Sequence, residues 1–266
     1  MFKLIKTIVQ KSGMIYSLAK SDFKKRFVGS FFGLVWMFVQ PLATVLVYTL
    51  IFQVGFRSTP PLANVPYVVW LICGLVPWFY FQDTLIQGTN CLYEYNYLVK
   101  KVVFNVELLP IIKLVSVGFA HAAFLIILFI ALFIAHIPFS FTFLLVVYYS
   151  FALSVFALGI SYFTSAINVF FKDMSQIVSI VLQFGIWMCP IMYDERLFAG
   201  RAEFVLKLLK FNPIYYIVKG YRNCLLGESF DSFVHISIYY WIVAIIIFTI
   251  GYKLFDRLKD DFSDVL

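Results

Sequence analysis

Residues 21–41 read SDFKKRFVGSFFGLVWMFVQP. Three bases, Lys24, Lys25 and Arg26, close a charged stretch, and no charged side chain follows from Phe27 to Phe56. A helix rises ~1.5 Å per residue and about 20 apolar residues cross a bilayer's hydrocarbon core, so this run is long enough to span one. The bases at its near end bias that end toward the cytoplasm. With this boundary set, each later segment takes a side by counting.

Composition agrees. Hydrophobic residues make up 62% of the chain and charged ones 13%, with a mean hydropathy of +0.91. Soluble domains carry roughly 25% charged residues, so this is an integral membrane protein. Its 266 residues hold six spans with short loops and leave no room for a large soluble domain. The net charge of +7 suits bases held against an anionic inner leaflet, while the basic, aromatic-interleaved soluble face that nucleic acid requires is missing. Cys73, Cys91, Cys189 and Cys224 are scattered, without a CxxC pair or a histidine at ligand spacing. They read as small hydrophobes in helices, not as metal ligands or a disulfide framework. The first 30 residues are too charged for a cleavable signal, and the apolar run after them is long enough to stay in the membrane.

Charged residues divide the chain. Residues 1–30 hold seven of the 21 Lys+Arg, and Ile15, Ala19, Phe23 and Phe27 recur there every four residues with Lys20 and Lys24 on another face. That pattern predicts an amphipathic helix in the headgroup plane. The uncharged run between Arg57 and Asp83 predicts a second span over about 66–82. Lys113 to Lys172 encloses two more, turning at His136-Ile137-Pro138. Asp173 to Asp194 and Asp231 to Lys253 enclose a fifth and a sixth, which puts both termini on one side. The segments assigned to the cytoplasm are rich in Lys and Arg, and the exception is the outer loop 194–234 with six bases.

That outer loop has its own order. Phe204, Val205, Leu208, Leu209 and Phe211 fall at helical spacing, Asn212-Pro213 breaks the pattern, and 214–226 resumes it before Gly227, a C-cap candidate. The segment is too short to cross twice, which needs roughly 40 residues. It reads as a helix–break–helix dipping into the outer leaflet, against an ordinary surface loop. Small residues at intervals of about four (Ser150, Ser154, Ala157, Ser161 and Ser165, with Gly118 and Ala122 on the preceding span) suit close helix packing, inside a bundle or at a dimer seam.

Groups for chemistry are sparse. His121, about 17 Å along the third span, lacks a carboxylate partner on that span and reads more simply as a neutral packing residue than as a functional one. Asp83 sits at the inner end of the second span. Asp173 and Gln176 have capping-box spacing. No phosphate-cradling GxxxxGK[ST] occurs, so energy from ATP would come from another subunit. The inner loop 87–109 contains an aromatic-rich segment around Leu92, Tyr93, Glu94, Tyr95 and Tyr97, followed by Lys100 and Lys101. It reads as a short helix docking in a soluble partner, or as a plain connection. Aromatics make up 20% of the chain; Trp36, Trp78, Tyr80, Tyr215, Tyr216 and Tyr221 either line a path on which sugar faces slide or belong to interfacial belts and packing.

The ordered set Arg26-Phe27, Phe32-Gly33-Leu34-Val35-Trp36, Gln40-Pro41-Leu42, Gly74-Leu75-Val76-Pro77-Trp78, Leu98-Val99-Lys100-Lys101-Val102 with Pro110, Phe170-Phe171-Lys172-Asp173-Met174, Pro190-Ile191-Met192-Tyr193 and Asn212-Pro213 resembles the ABC-2 type exporter permeases. The nearest group is the one that exports O-antigen, capsule and teichoic-acid polysaccharides, and Lys172 stands where arginine is expected. The resemblance implies an all-α integral membrane fold of six transmembrane helices. It divides the chain into a cytoplasmic interface helix (1–30), a transmembrane domain (31–256) with an inner coupling loop (87–109) and outer re-entrant gate helices (203–227) between spans five and six, and a cytoplasmic tail (257–266). It further implies a homodimer in the bacterial inner (plasma) membrane with two ABC ATPase subunits that bind Mg-ATP, and no cofactor or enzymatic activity in this chain. The substrate would be an undecaprenyl-type lipid-linked glycan. In that scheme Lys24, Lys25 and Arg26 meet the pyrophosphate or simply anchor the inner face, residues 92–101 couple to the ATPase, and Asn212 and Pro213 form the gate. Export of a small molecule or lipid, and more remotely an intramembrane transferase, are the alternatives.

Overall fold

The computed structural model describes residues 2–28, 31–58, 62, 64–100, 104–198, 200, 202–228 and 233–266, with only the backbone of Phe2, Lys3 and Phe233. The described residues form helices and connecting turns. In chain order these are α1 (Phe2–Gln10), α2 (Ser12–Lys25), α3 (Trp36–Tyr48), α4 (Tyr67–Glu94), α5 (Asn96–Val99), α6 (Leu109–Ile134), α7 (Leu145–Phe170), α8 (Met174–Gly185), α9 (Glu203–Phe211), α10 (Pro213–Leu226), α11 (Phe233–Leu258) and α12 (Phe262–Val265). A wide π-helical turn, Thr49–Gly55, continues α3.

Five helical stretches among the described residues are long and apolar enough to cross a membrane: Gly33–Gly55, Tyr67–Glu94, Val106–Ile134, Phe141–Phe170 and Val234–Val265. The stretch expected as a fifth span is instead the 12-residue α8 followed by turns through residue 193. At ~1.5 Å per residue α8 covers about 18 Å, short of a ~30 Å core. The second expected span also differs, because α4 continues past Gln82 to Glu94. Asp83 therefore lies inside a helix rather than at its end.

Local chemistry explains the boundaries. α6 begins with Pro110 in its first turn, where a missing N–H costs nothing. It ends at Ile134, and His136 takes a left-handed φ of 55° at the expected turn. Asn212 caps α10 by accepting from Ile214 N at 3.0 Å, Pro213 follows, and Gly227 closes the helix at φ 70°. The capping-box reading at α8 fails: Asp173 occupies the N-cap without a side-chain bond, and the first turn is held by Gln176 N donating to the Asp173 carbonyl. A wet, charged end leaves that side chain free to face solvent.

The small residues of α7 let its neighbours approach. A Cβ on Gly159 would fall 2.6 Å from the Phe248 Cα of α11, and one on Gly88 of α4 would collide with Ser161. By contrast, a Cβ on Gly118 would meet nothing within 4 Å, so the small face of α6 is not used inside the chain. The four cysteines are free and buried.

α2 is docked, not merely floating. Its buried residues are Ile15, Ala19 and Asp22, the first two packed in one cluster with Leu92, Leu108, Ile112 and Phe255. The buried seam thus turns from the expected Phe23 and Phe27 toward Asp22, because a base on α6 is positioned to meet that carboxylate. Burying a residue such as Ile15 stabilises the dock by about 1.5–3 kcal/mol. α3 is the opposite case, with no buried side chain along its length.

Candidate functional site

A cavity of about 730 Å³ opens between α3, α4, α6 and α8. α3 contributes Trp36, Gln40, Thr44 and Tyr48; α4 contributes Trp78, Gln82, Asp83 and Gln87; α8 and the turn after it contribute Ser179, Gln183 and Trp187; Arg26 closes one end. Its size lies within the ~300–1,000 Å³ of ligand sites. Pro41 and Pro77 sit inside α3 and α4, each removing one backbone N–H from the ladder and favouring a local bend. Trp78 is oriented by donating its indole N–H to Gln82 Oε1 at 3.1 Å. Asp83 makes no hydrogen bond or ion pair with any described residue, while its helix neighbours are engaged. The lining therefore combines flat aromatic faces with amides and one uncommitted carboxyl group. That arrangement can stack on a ring and exchange hydrogen bonds with hydroxyls.

The three bases separate. Arg26 Nη2 donates to Ser116 Oγ at 3.2 Å and lies 3.5 Å from Asp22 Oδ2, and its Nε is buried without a partner. Lys24 is exposed and borders a separate apolar groove with Lys20, Phe23 and Phe119, while Lys25 is exposed and lines neither space.

Beneath the cavity a charged cluster joins three helices. Asp22 Oδ1 accepts from Tyr95 OH at 2.7 Å and from Lys113 Nζ at 2.6 Å, and Oδ2 accepts from Ser116 Oγ at 2.6 Å. Lys113 Nζ also donates to Glu94 Oε2 and lies 5.1 Å from the Tyr95 ring centre. Burial works against ionisation of Asp22, but the bonds from Lys113 and Ser116 prevail and hold its pKa below 3.8. Sequence reasoning missed this cluster, whose one signal is that Asp22 is the sole acid before Asp83.

The coupling candidates divide by exposure. Leu92 and Tyr95 are buried, and Tyr93 OH donates to the Asn168 and Val169 carbonyls at 3.3 and 3.2 Å. Glu94 is half-exposed but ion-paired with Lys113. Tyr97 and Lys100 face outward. Lys101 lies outside the described residues.

Of the aromatic path candidates, Trp36 is an exposed part of the cavity lining, while Trp78 borders the cavity but is itself buried. Tyr80, Tyr216 and Tyr221 are instead packed inside the bundle. Tyr80 stacks on His121 at 4.3 Å and bonds Ser154 at 2.8 Å. Tyr221 bonds Ser150 at 2.6 Å and His121 Nε2 at 3.1 Å, so that histidine serves packing. Tyr216 bonds Tyr148 and Ser237, and Tyr215 is buried beside it. Gln40, Gln82, Gln183 and Asp83 were the residues missed; polar side chains recurring in otherwise apolar spans are the signal that could have found them.

On the far side, Asn212 reaches Met188 O at 3.2 Å as well as capping α10, and Pro213 opens that helix. Arg222 is fully buried, stacked 3.4 Å over Trp70, and donates to the carbonyls of Pro190 and Ile191 at 2.7 and 2.6 Å. Lys219 is paired with Glu228 and with Glu195. Two of the six bases that disturbed the charge count are thus internal.

Apolar helices of crossing length around a polar, indole-lined cavity define a multi-pass membrane protein. The chain belongs to the ABC-2 type transporter family, whose profile matches residues 14–226. It is similar to two O-antigen export system permease proteins RfbA of Klebsiella pneumoniae, at 24% and 25% identity over 257 residues, 95% of each chain. A third, RfbA of Myxococcus xanthus, is 29% identical over 224 residues, 84% of each chain.

Proposed function

We propose that this chain is the permease subunit of an ATP-driven exporter that moves a lipid-linked polysaccharide, of O-antigen, capsule or teichoic-acid type, outward across the bacterial plasma membrane. The observation that carries this reading is the cavity, whose lining includes the exposed Trp36 together with Gln40, Gln82 and Gln183. Rings of this kind hold sugar faces without fixing them, and amides trade hydrogen bonds as hydroxyls pass. The names of the relatives, all O-antigen export permeases, support the same cargo.

The bare α3 favours a homodimer in which a second copy completes the cavity wall. Two ATPase subunits carrying Mg-ATP would supply the energy, meeting the outward-facing Tyr97 and Lys100. Both termini are cytoplasmic in this scheme, and α8 with the turns to residue 193 makes a sixth, broken crossing. Non-helical backbone is tolerated at membrane depth where protein satisfies it, and Arg222 does so for two carbonyls. α9 and α10 then form the outer re-entrant pair, with Asn212-Pro213 at its corner.

Deleting the chain tests this. Cells without it should accumulate lipid-linked glycan on the cytoplasmic leaflet, and restoring the chain should clear it. Normal surface glycan in the deletion, with a small molecule or lipid retained instead, would overturn the cargo assignment.

A further inference from the structure

Resting on that reading, we infer that the exported polymer is an uncharged glycan, and that Asp83 together with the commitment of Arg26 sets this selection. Among the described residues lining the cavity, Arg26 and Asp83 are the one base and the one acid. Arg26 is not a free cation: its Nη2 donates to Ser116 and lies 3.5 Å from Asp22, and its unpartnered Nε is buried. Asp83 hydrogen-bonds no described residue, and the charge that acts on it is that of Arg26. It contrasts with Asp22, whose two oxygens are occupied by Lys113, Tyr95 and Ser116.

A polymer bearing phosphate or uronate groups would lose water on entering and find no unspent base to replace it. A desolvated charge without a partner is strongly disfavoured. A neutral hexose chain meets no such obstacle: its hydroxyls can donate to Asp83 and exchange bonds with Gln40, Gln82 and Gln183, and its rings can lie on the exposed Trp36. If two copies enclose the path, each lining residue appears twice and the shortage of cations is unchanged. The carrier's pyrophosphate is a separate matter, since Lys24 and Lys25 are exposed outside the cavity.

The test uses the full transporter, this chain with its ATPase subunits in proteoliposomes. Two synthetic probes are compared: undecaprenyl-pyrophosphate-linked neutral hexose oligomer, and an oligomer of equal length in which the sugars are uronic acids. The neutral probe should stimulate ATP hydrolysis at a concentration at least roughly tenfold lower than the uronate probe. Asp83→Asn should narrow that gap, and Ser179→Lys, which adds a cation at an exposed lining position, should narrow it independently. Equal response to both probes, preference for the uronate, or a gap that neither variant changes overturns the inference and leaves polysaccharide export standing. Response to neither probe overturns the polysaccharide reading and this inference with it.

Discussion

Lys113 of α6 donates to Asp22 of α2 at 2.6 Å, and both side chains are buried. The contact ties the N-terminal helix to the bundle, and the same amine holds Glu94 at the end of α4. One amine thus links α2 and the end of α4 to the start of α6.

Removing one partner strands the other. Lys113→Ala or Asp22→Ala should lower stability by about 3–5 kcal/mol, whereas the double change Asp22→Leu with Lys113→Met should cost much less. Thermal unfolding in detergent measures this; singles and double behaving alike would refute it.

The dock should resist acid. The pKa of Asp22 is depressed in the folded state, so its stabilisation is complete above the ordinary value of 3.8 and is lost as pH falls through the lower folded value. Amide protection across α2, taken relative to the intrinsic exchange rate at each pH, should be flat from pH 7 to about 5 and fall only in stronger acid. Loss of protection near pH 6 would contradict the assignment.

Packing at the crossing of α7 and α11 is backbone on backbone. Gly159→Leu should destabilise by about 1–3 kcal/mol or more, while Gly118→Ala, which meets open space, should be close to neutral. Comparable loss at both sites would argue against this crossing.

Arg222 satisfies two carbonyls where α8 has already ended. Arg222→Met keeps bulk and abandons those acceptors, at a cost of about 1.5–3 kcal/mol each. Increased protease cleavage near residues 188–193 is the expected readout, and an unchanged digest would remove Arg222 from this role.

Position in the 92–100 segment should decide phenotype. Tyr97→Ala is expected to leave folding intact and weaken stimulation of the ATPase, since the ring is 48% exposed. Tyr95→Ala should instead lower the melting temperature, because its ring is buried and its hydroxyl is bonded to Asp22. The reverse pattern would show that the coupling face had been misassigned.

Charge-free runs bounded by Arg26, Arg57, Asp83, Lys113, Lys172, Asp231 and Lys253 were enough to locate the five long apolar helices, and Asn212-Pro213 and Gly227 marked the α9–α10 pair because capping is local chemistry. An uncharged run could not tell where α8 would stop, since the carbonyls that follow it are satisfied by Arg222, a residue remote in sequence. The Asp22–Lys113 pair was equally hidden: 91 positions separate its members, and either alone looks like ordinary interfacial charge. The site was partly readable. Trp36 and Trp78 were anticipated, but Tyr80, Tyr216 and Tyr221 share their composition and differ only in which way the helix turns them. Four separate polar residues, Gln40, Gln82, Gln183 and Asp83, became a site only once folding set them around one space.

The exposed first long helix has a consequence for supply. With no side chain of α3 buried, and if a second copy covers it as proposed, a subunit synthesised in excess would leave the cavity side of Gln40 open to lipid, a state that membrane quality control would recognise and degrade. The abundance of the permease would then be metered by complete assembly, not by its own rate of translation.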